Sequence, residues 1–294
     1  MRPGRRTLPG ACCEADMMPR THTNTQNDGV QMVPGWSGFN AAVSSNTPVP
    51  SVVGYCPVIE ASPTELSTVY TVLKRSVEMG RKLGLEEIII VMDLAIYAKA
   101  QEIVWKKPDE FSNVVLRMGA FHTAMTFIAI LGKRFGDAGL SDLLIEAGIV
   151  AAGSISGVIE ARQYNRAMRA HKLAMEAMQR LRLKSFQAWM HENENTEYHA
   201  ATEELDRVCA TPTAETFTAL LMSPECRQLL ELFDEFCSTD RGKLAAFWDS
   251  YLDLVCLLLL FTRATREGIW SLHIFSIREM LPWVFAYDRT NYAR

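Results

Sequence analysis

The hydrophobic positions alternate between helical and strand-like spacing along residues 62–122, changing near residues 88, 94, 114 and 120. Ser62-Pro63-Thr64-Glu65 has the order of an N-cap, a proline at the first helical position and a capping-box glutamate, so a helix is expected to start there. Leu66, Val69, Leu73 and Val77 continue it at helical spacing, and Gly84 stands where it would close. Ile88-Ile89-Ile90-Val91-Met92 is then an unbroken β-branched run, the pattern of a short strand covered on both faces. Asp93 ends it. Leu94 to Lys107 returns to helical spacing until Pro108, and Val114 to Met118 reads as a second strand.

From His122 onward the pattern is almost entirely helical, over 122–135, 141–150, 156–190, 197–209, 213–222, 225–237, 241–266 and 270–287. Glycines between 132 and 157 mark turns or close helix contacts. The expected fold is an α-dominated α/β protein, with a small buried sheet element near 85–121 followed by a large helical region. Residues 51–294 form one folded domain on this reading, its α/β part about 51–121 and its helical part about 122–294. No internal repeat suggests a solenoid. Residues 1–50 lack either period and are rich in Pro, Gly, Ser, Asn and Thr, the composition of a disordered tail. Within it, Val33-Pro34-Gly35-Trp36-Ser37-Gly38-Phe39 offers aromatic anchors.

Composition narrows the class without naming a function. The 294 residues are 48% hydrophobic and 22% charged, which fits a globular chain and excludes collagen-like or wholly disordered ones. A formal charge of -4 argues against a uniformly basic coat protein, while leaving room for local basic patches. Seven cysteines without a C-x-x-C pair give neither a disulfide framework nor a zinc knuckle. The N-terminus lacks the apolar stretch of a secretory signal, so an intracellular, reducing setting is expected. The most apolar run, Leu252 to Phe261, contains Asp253 and is about half the roughly 20 residues a membrane span needs, so a buried helix and no membrane association are expected.

Asp93 is the acid most suggestive of chemistry, because carboxylates at strand ends often face a ligand crevice. It is the candidate metal ligand, and the ion would be magnesium, held through oxygen donors for phosphoryl transfer. The competing reading is a helix cap, in which the carboxylate accepts a backbone N–H. Glu102, Asp109, Glu110, Glu279 and Asp288 are possible partners that spacing does not separate. His122, at a strand-to-helix junction, is a candidate metal ligand or proton shuttle, or else a hydrogen-bonded histidine at a helix start. His171 falls on the apolar side of its helix and reads as a core residue.

The helix expected over 156–190 is strongly two-sided. Tyr164, Met168, Met175, Met178, Phe186 and Trp189 share one sector, with Arg162, Arg166, Arg169, Arg180 and Lys184 opposite. These five cations fall within roughly 60° and span about 33 Å, enough to follow several backbone phosphates, with Glu176 the acid that opposes them. The bland alternative is a solvated basic face.

The stretches VPGWSGFNA, VVGYCPVIEASPTELSTVYTVLK, IIIVMDLAIYAKAQEIVW, VVLRMGAFHTAMTFIAILGKRFGDAGL, YNRAMRAHKLAMEAMQRLRLKSFQAW and LPWVFAYDRTNYAR resemble a group of proteins encoded by transposable elements in animal genomes. The likeness runs from about Val33 to Arg294. It implies a relative of cut-and-paste transposases, in which carboxylates of a ribonuclease-H-like core bind divalent metal to cut or join DNA. On that comparison Asp93 matches a first metal-binding acid and Glu279 a late helical glutamate, while His122 stands where a second aspartate would be sought. Such relatives continue beyond the point where this sequence ends, and a helix rather than a strand meander follows Asp93. The resemblance therefore implies a truncated or domesticated nucleic-acid-binding protein, catalytically inactive or incomplete, with DNA as partner and a nuclear location. The alternative is a noncatalytic helical interaction module that binds another protein or itself through exposed apolar helix faces.

Overall fold

The computed structural model describes residues 36–44, 52–193 and 198–289. Most of the stretch read as a disordered tail lies outside these residues, but Trp36–Val43 forms a helix, α1. Val43 is buried with Val208, Phe217, Leu220 and Cys226, so this part of the expected tail is packed onto the domain. Helix α2, Leu66–Lys82, starts three residues later than its capping signal predicts. Pro63 sits instead in a turn closed by Glu65 N–H donating to the Ser62 carbonyl, and Glu65 is the N-cap. Gly84, at φ 68°, ends the segment as expected.

Strand β1, Ile88–Met92, and strand β2, Val114–Met118, pair in parallel with Ile88 opposite Val114 and Met92 opposite Met118. The crossover holds helix α3, Leu94–Lys106, and a short helix α4, Pro108–Phe111, so Pro108 both stops one helix and opens the next. Val69, Leu73 and Val77 of α2 pack with Ile88, Met92, Ala100 and Ile103 in a small core beneath the sheet. The strand expected to be covered on both faces is covered on one. Ile89, Val91 and Val115 project from the other face at 61%, 59% and 40% exposure. The reason is that α2 and α3 pack on a single side, and among the described residues the sheet has only these two strands.

The helical region follows: α5, Ala120–Phe135; α6, Ser141–Glu146; α7, Ile155–Ile159; α8, Tyr164–Glu192; α9, Tyr198–Ala210; α10, Ala214–Met222; α11, Pro224–Ser238; α12, Lys243–Glu267; and α13, Trp270–Ala286. Each lies close to its expected range except the helix expected over 156–190, which is broken between α7 and α8. Ala161 takes φ 62° there and the Gln163 N–H donates to the Gly157 carbonyl, turning the chain before α8 begins. Helices α5, α8, α12 and α13 enclose the main core, with Phe127, Leu131, Phe135, Ala170, Tyr251, Val255, Leu258 and Val284 inside it. Gly132 lets α5 touch α7, because a Cβ there would lie 2.0 Å from the Ile159 carbonyl oxygen. Helix α12 has the length and apolarity to cross a membrane, and Leu252, Leu254, Val255 and Leu257 to Phe261 are buried against protein in this fold.

Candidate functional site

The parallel register brings the carboxyl ends of both strands to one edge. Gly119 N–H donates to the Met92 carbonyl at 2.8 Å, so Asp93, opening α3, and His122, in the first turn of α5, sit at the same end of the βαβ unit. Asp93 is half-buried and acts as the N-cap of α3, its Oδ1 accepting the Ile96 N–H at 3.0 Å. The His122 ring stands edge-on to Phe121 with centroids 5.3 Å apart. Glu279 is exposed on α13. No hydrogen bond or ion pair among the described residues links these three side chains, nor do the described residues contain a group of three His, Cys, Asp or Glu side chains placed to hold a metal. Among the described residues no such group of three surrounds Asp93, and its carboxylate serves as a helix cap.

The basic face divides into two kinds of cation. Arg162 falls in the turn before α8, off the helix, and pairs with Glu160 at 3.1 Å. Arg180 pairs with Glu176 one turn away at 2.7 Å. Arg166, Arg169 and Lys184 are exposed, with no carboxylate at ion-pair distance among the described residues; Arg166 donates to the side-chain oxygen of Gln163 at 3.0 Å. On the opposite side Met168, Met175 and Phe186 are buried, as the helical spacing predicts.

A second group of residues lies at the strand ends and has no counterpart in the sequence reading. Arg117, opposite Val91 on the uncovered sheet face, reaches the corner where Gly268, at φ 70°, turns the chain from α12 into α13. Its guanidinium lies over the Trp270 ring, 4.7 Å from the centroid, and its Nη2 donates to Nε2 of His273 at 3.1 Å. Arginine only donates, so Nε2 must be the unprotonated nitrogen and Nδ1 carries the hydrogen toward Thr265 Oγ1 at 3.4 Å. The Thr265 hydroxyl in turn donates to the Phe261 carbonyl at 2.8 Å. His273 is stacked between Phe261 and Trp270 and is 8% exposed. Burial lowers its pKa and the Arg117 charge lowers it further, which keeps the ring neutral.

Together Arg117, Thr265, Trp270 and His273, with Val91 and Ala120, border a cleft of about 250 Å³. The one signal for it in the sequence is an arginine inside the otherwise apolar run Val114-Val115-Leu116-Arg117-Met118. Its partner on α13 is 156 residues away, a distance at which local periodicity carries no information.

A βαβ unit opening a predominantly helical domain is the class of protein that this fold defines. The chain belongs to the family described as Domain of unknown function (DUF8702), which matches residues 35–294. No curated protein and no solved structure matches it.

Proposed function

We propose that this chain is a noncatalytic nucleic-acid-binding protein of transposase-like, transposable-element descent, which holds phosphate backbones through α8 without reading base sequence. The observation that carries this reading is the row Arg166, Arg169 and Lys184, exposed along about 27 Å of one helix and unmatched by carboxylates among the described residues, in a chain whose net charge is -4. Arg162 and Arg180 contribute less, since Glu160 and Glu176 already offset their charge. The transposase-like descent rests on the sequence resemblance, and with it a nuclear place of action. The noncatalytic part is supported by the use of Asp93 as a cap and by the exposed position of Glu279.

Anisotropy of a short labelled duplex, titrated with the full chain across a salt series, tests this. Three backbone contacts predict a log–log salt slope of about -3, because each neutralised phosphate releases a condensed counterion. Charge reversal at Arg166, Arg169 and Lys184 together should remove both the binding and the slope. Binding that survives the triple reversal rejects the α8 interface. Magnesium-dependent nicking that disappears in Asp93→Asn rejects the noncatalytic reading.

A second reading is favoured by a different observation, the apolar sheet face formed by Ile89, Val91 and Val115. Parallel sheets are ordinarily covered on both faces, so this surface supports a protein-interaction module in which another copy or chain supplies the missing layer.

A further inference from the structure

We propose that the cleft between the carboxyl end of the sheet and the α12–α13 corner is a binding site for a small monocarboxylate with an apolar body. The first support is charge. Arg117 is a permanent cation that meets no carboxylate at ion-pair distance among the described residues, and its polar side-chain partner, His273, is held neutral in the accepting tautomer. A guanidinium has five N–H donors, and His273 takes one of them, so the fork retains donors for a bidentate carboxylate. The second support is preorganisation. Trp270 covers one guanidinium face and the His273–Thr265–Phe261 chain fixes the partner ring, so little side-chain freedom remains to be lost on binding.

The lining sets the chemical class. Apart from Arg117, Thr265 and His273 the walls are apolar, including Val91, Ala120 and Trp270, and among the described residues no other cation borders the space. One fixed positive charge balances one negative charge, so a monoanion fits where a phosphate dianion would be left undercompensated against apolar walls. A space of about 250 Å³ suits a small molecule and excludes a polymer strand. The site is separate from the α8 face, and each proposal stands without the other.

Benzoate is a suitable probe, with benzamide as its neutral isostere and inorganic phosphate as the dianionic control. Titrating each into full-length protein while following the Trp270 indole N–H resonance, assigned with Trp270→Phe, reads the site directly. Benzoate should shift that resonance saturably with a Kd on the order of 1 mM or tighter, while benzamide and phosphate bind at least about tenfold more weakly. Arg117→Gln should weaken benzoate binding by about tenfold or more. The benzoate–benzamide contrast uses wild-type protein alone, so the outcome does not depend on how the variant folds. No saturable benzoate shift, or equal affinity for benzoate and benzamide, overturns the proposal. Preference for phosphate overturns the assignment of a monocarboxylate.

Discussion

His171 shows what a single buried titratable side chain does to this fold. It lies in the main core on α8, its Nδ1 hydrogen-bonded to the Tyr251 hydroxyl at 2.9 Å. Burial pushes its pKa from 6.5 down to about 4, because a charged ring would have no water. The unfolded chain therefore binds a proton more readily than the folded one between about pH 6.5 and 4. Stability should be whole above about pH 6.5, fall through that window by up to roughly 3 kcal/mol, and level off below it. Urea midpoints at pH 7.5 and pH 5, compared between wild type and His171→Phe, measure this; an equal decline in both would assign the loss to other groups. Asp93 gives a sharper discrimination at the same scale. As a cap, it should tolerate Asn, which accepts the Ile96 N–H equally well, whereas Asp93→Ala should cost about 1 kcal/mol in thermal or urea unfolding. A metal-binding role would instead make Asn as damaging to function as Ala, since either change removes the anionic ligand.

At the scale of elements, helical spacing located nearly every helix, because an amphipathic face is a local property of the sequence. The exceptions are places where a contact distant in sequence, or a backbone angle, decides. Ser62–Glu65 carries a capping-box pattern yet folds as a turn, and α7 parts from α8 at Ala161, a residue that seldom adopts φ 62°. That break removes Arg162 from the basic helix face while leaving Arg166, Arg169 and Lys184 on it. The strands and the Asp93 cap were legible as well, but a run of β-branched residues does not tell how many layers will cover it. The Arg117–His273 pairing was illegible for the same reason. Gly132 marks another long-range contact that spacing only hinted at. In Gly132→Ala the added methyl meets the Ile159 carbonyl, a backbone atom that moves only if α7 moves with it. A loss of about 1–3 kcal/mol is expected, read as a lowered melting temperature. Gly153→Ala, with open space around its Cβ, should leave stability nearly unchanged.

The whole molecule divides its apolar surface unevenly. The four-helix core is closed around residues such as Leu131, Tyr251 and Leu258, whereas the βαβ unit leaves Ile89, Val91 and Val115 open on a sheet that has only two strands among the described residues. Covering those side chains would contribute roughly 5 kcal/mol at the usual value for burying Val or Ile. That is near the low end of the roughly 4–15 kcal/mol lost when two molecules give up independent motion, so the face alone supports only weak self-association. Sedimentation should then show a mass that rises with concentration only in the millimolar range or above, insensitive to nuclease and to salt. Replacing Ile89 and Val91 together by Thr keeps β-branched side chains in the strand while making the face polar, so the double variant should stay folded and monomeric. A wild-type mass that stays monomeric at every concentration would leave the sheet face to a different protein. A rise that salt or nuclease abolishes would move the association to the basic side of α8.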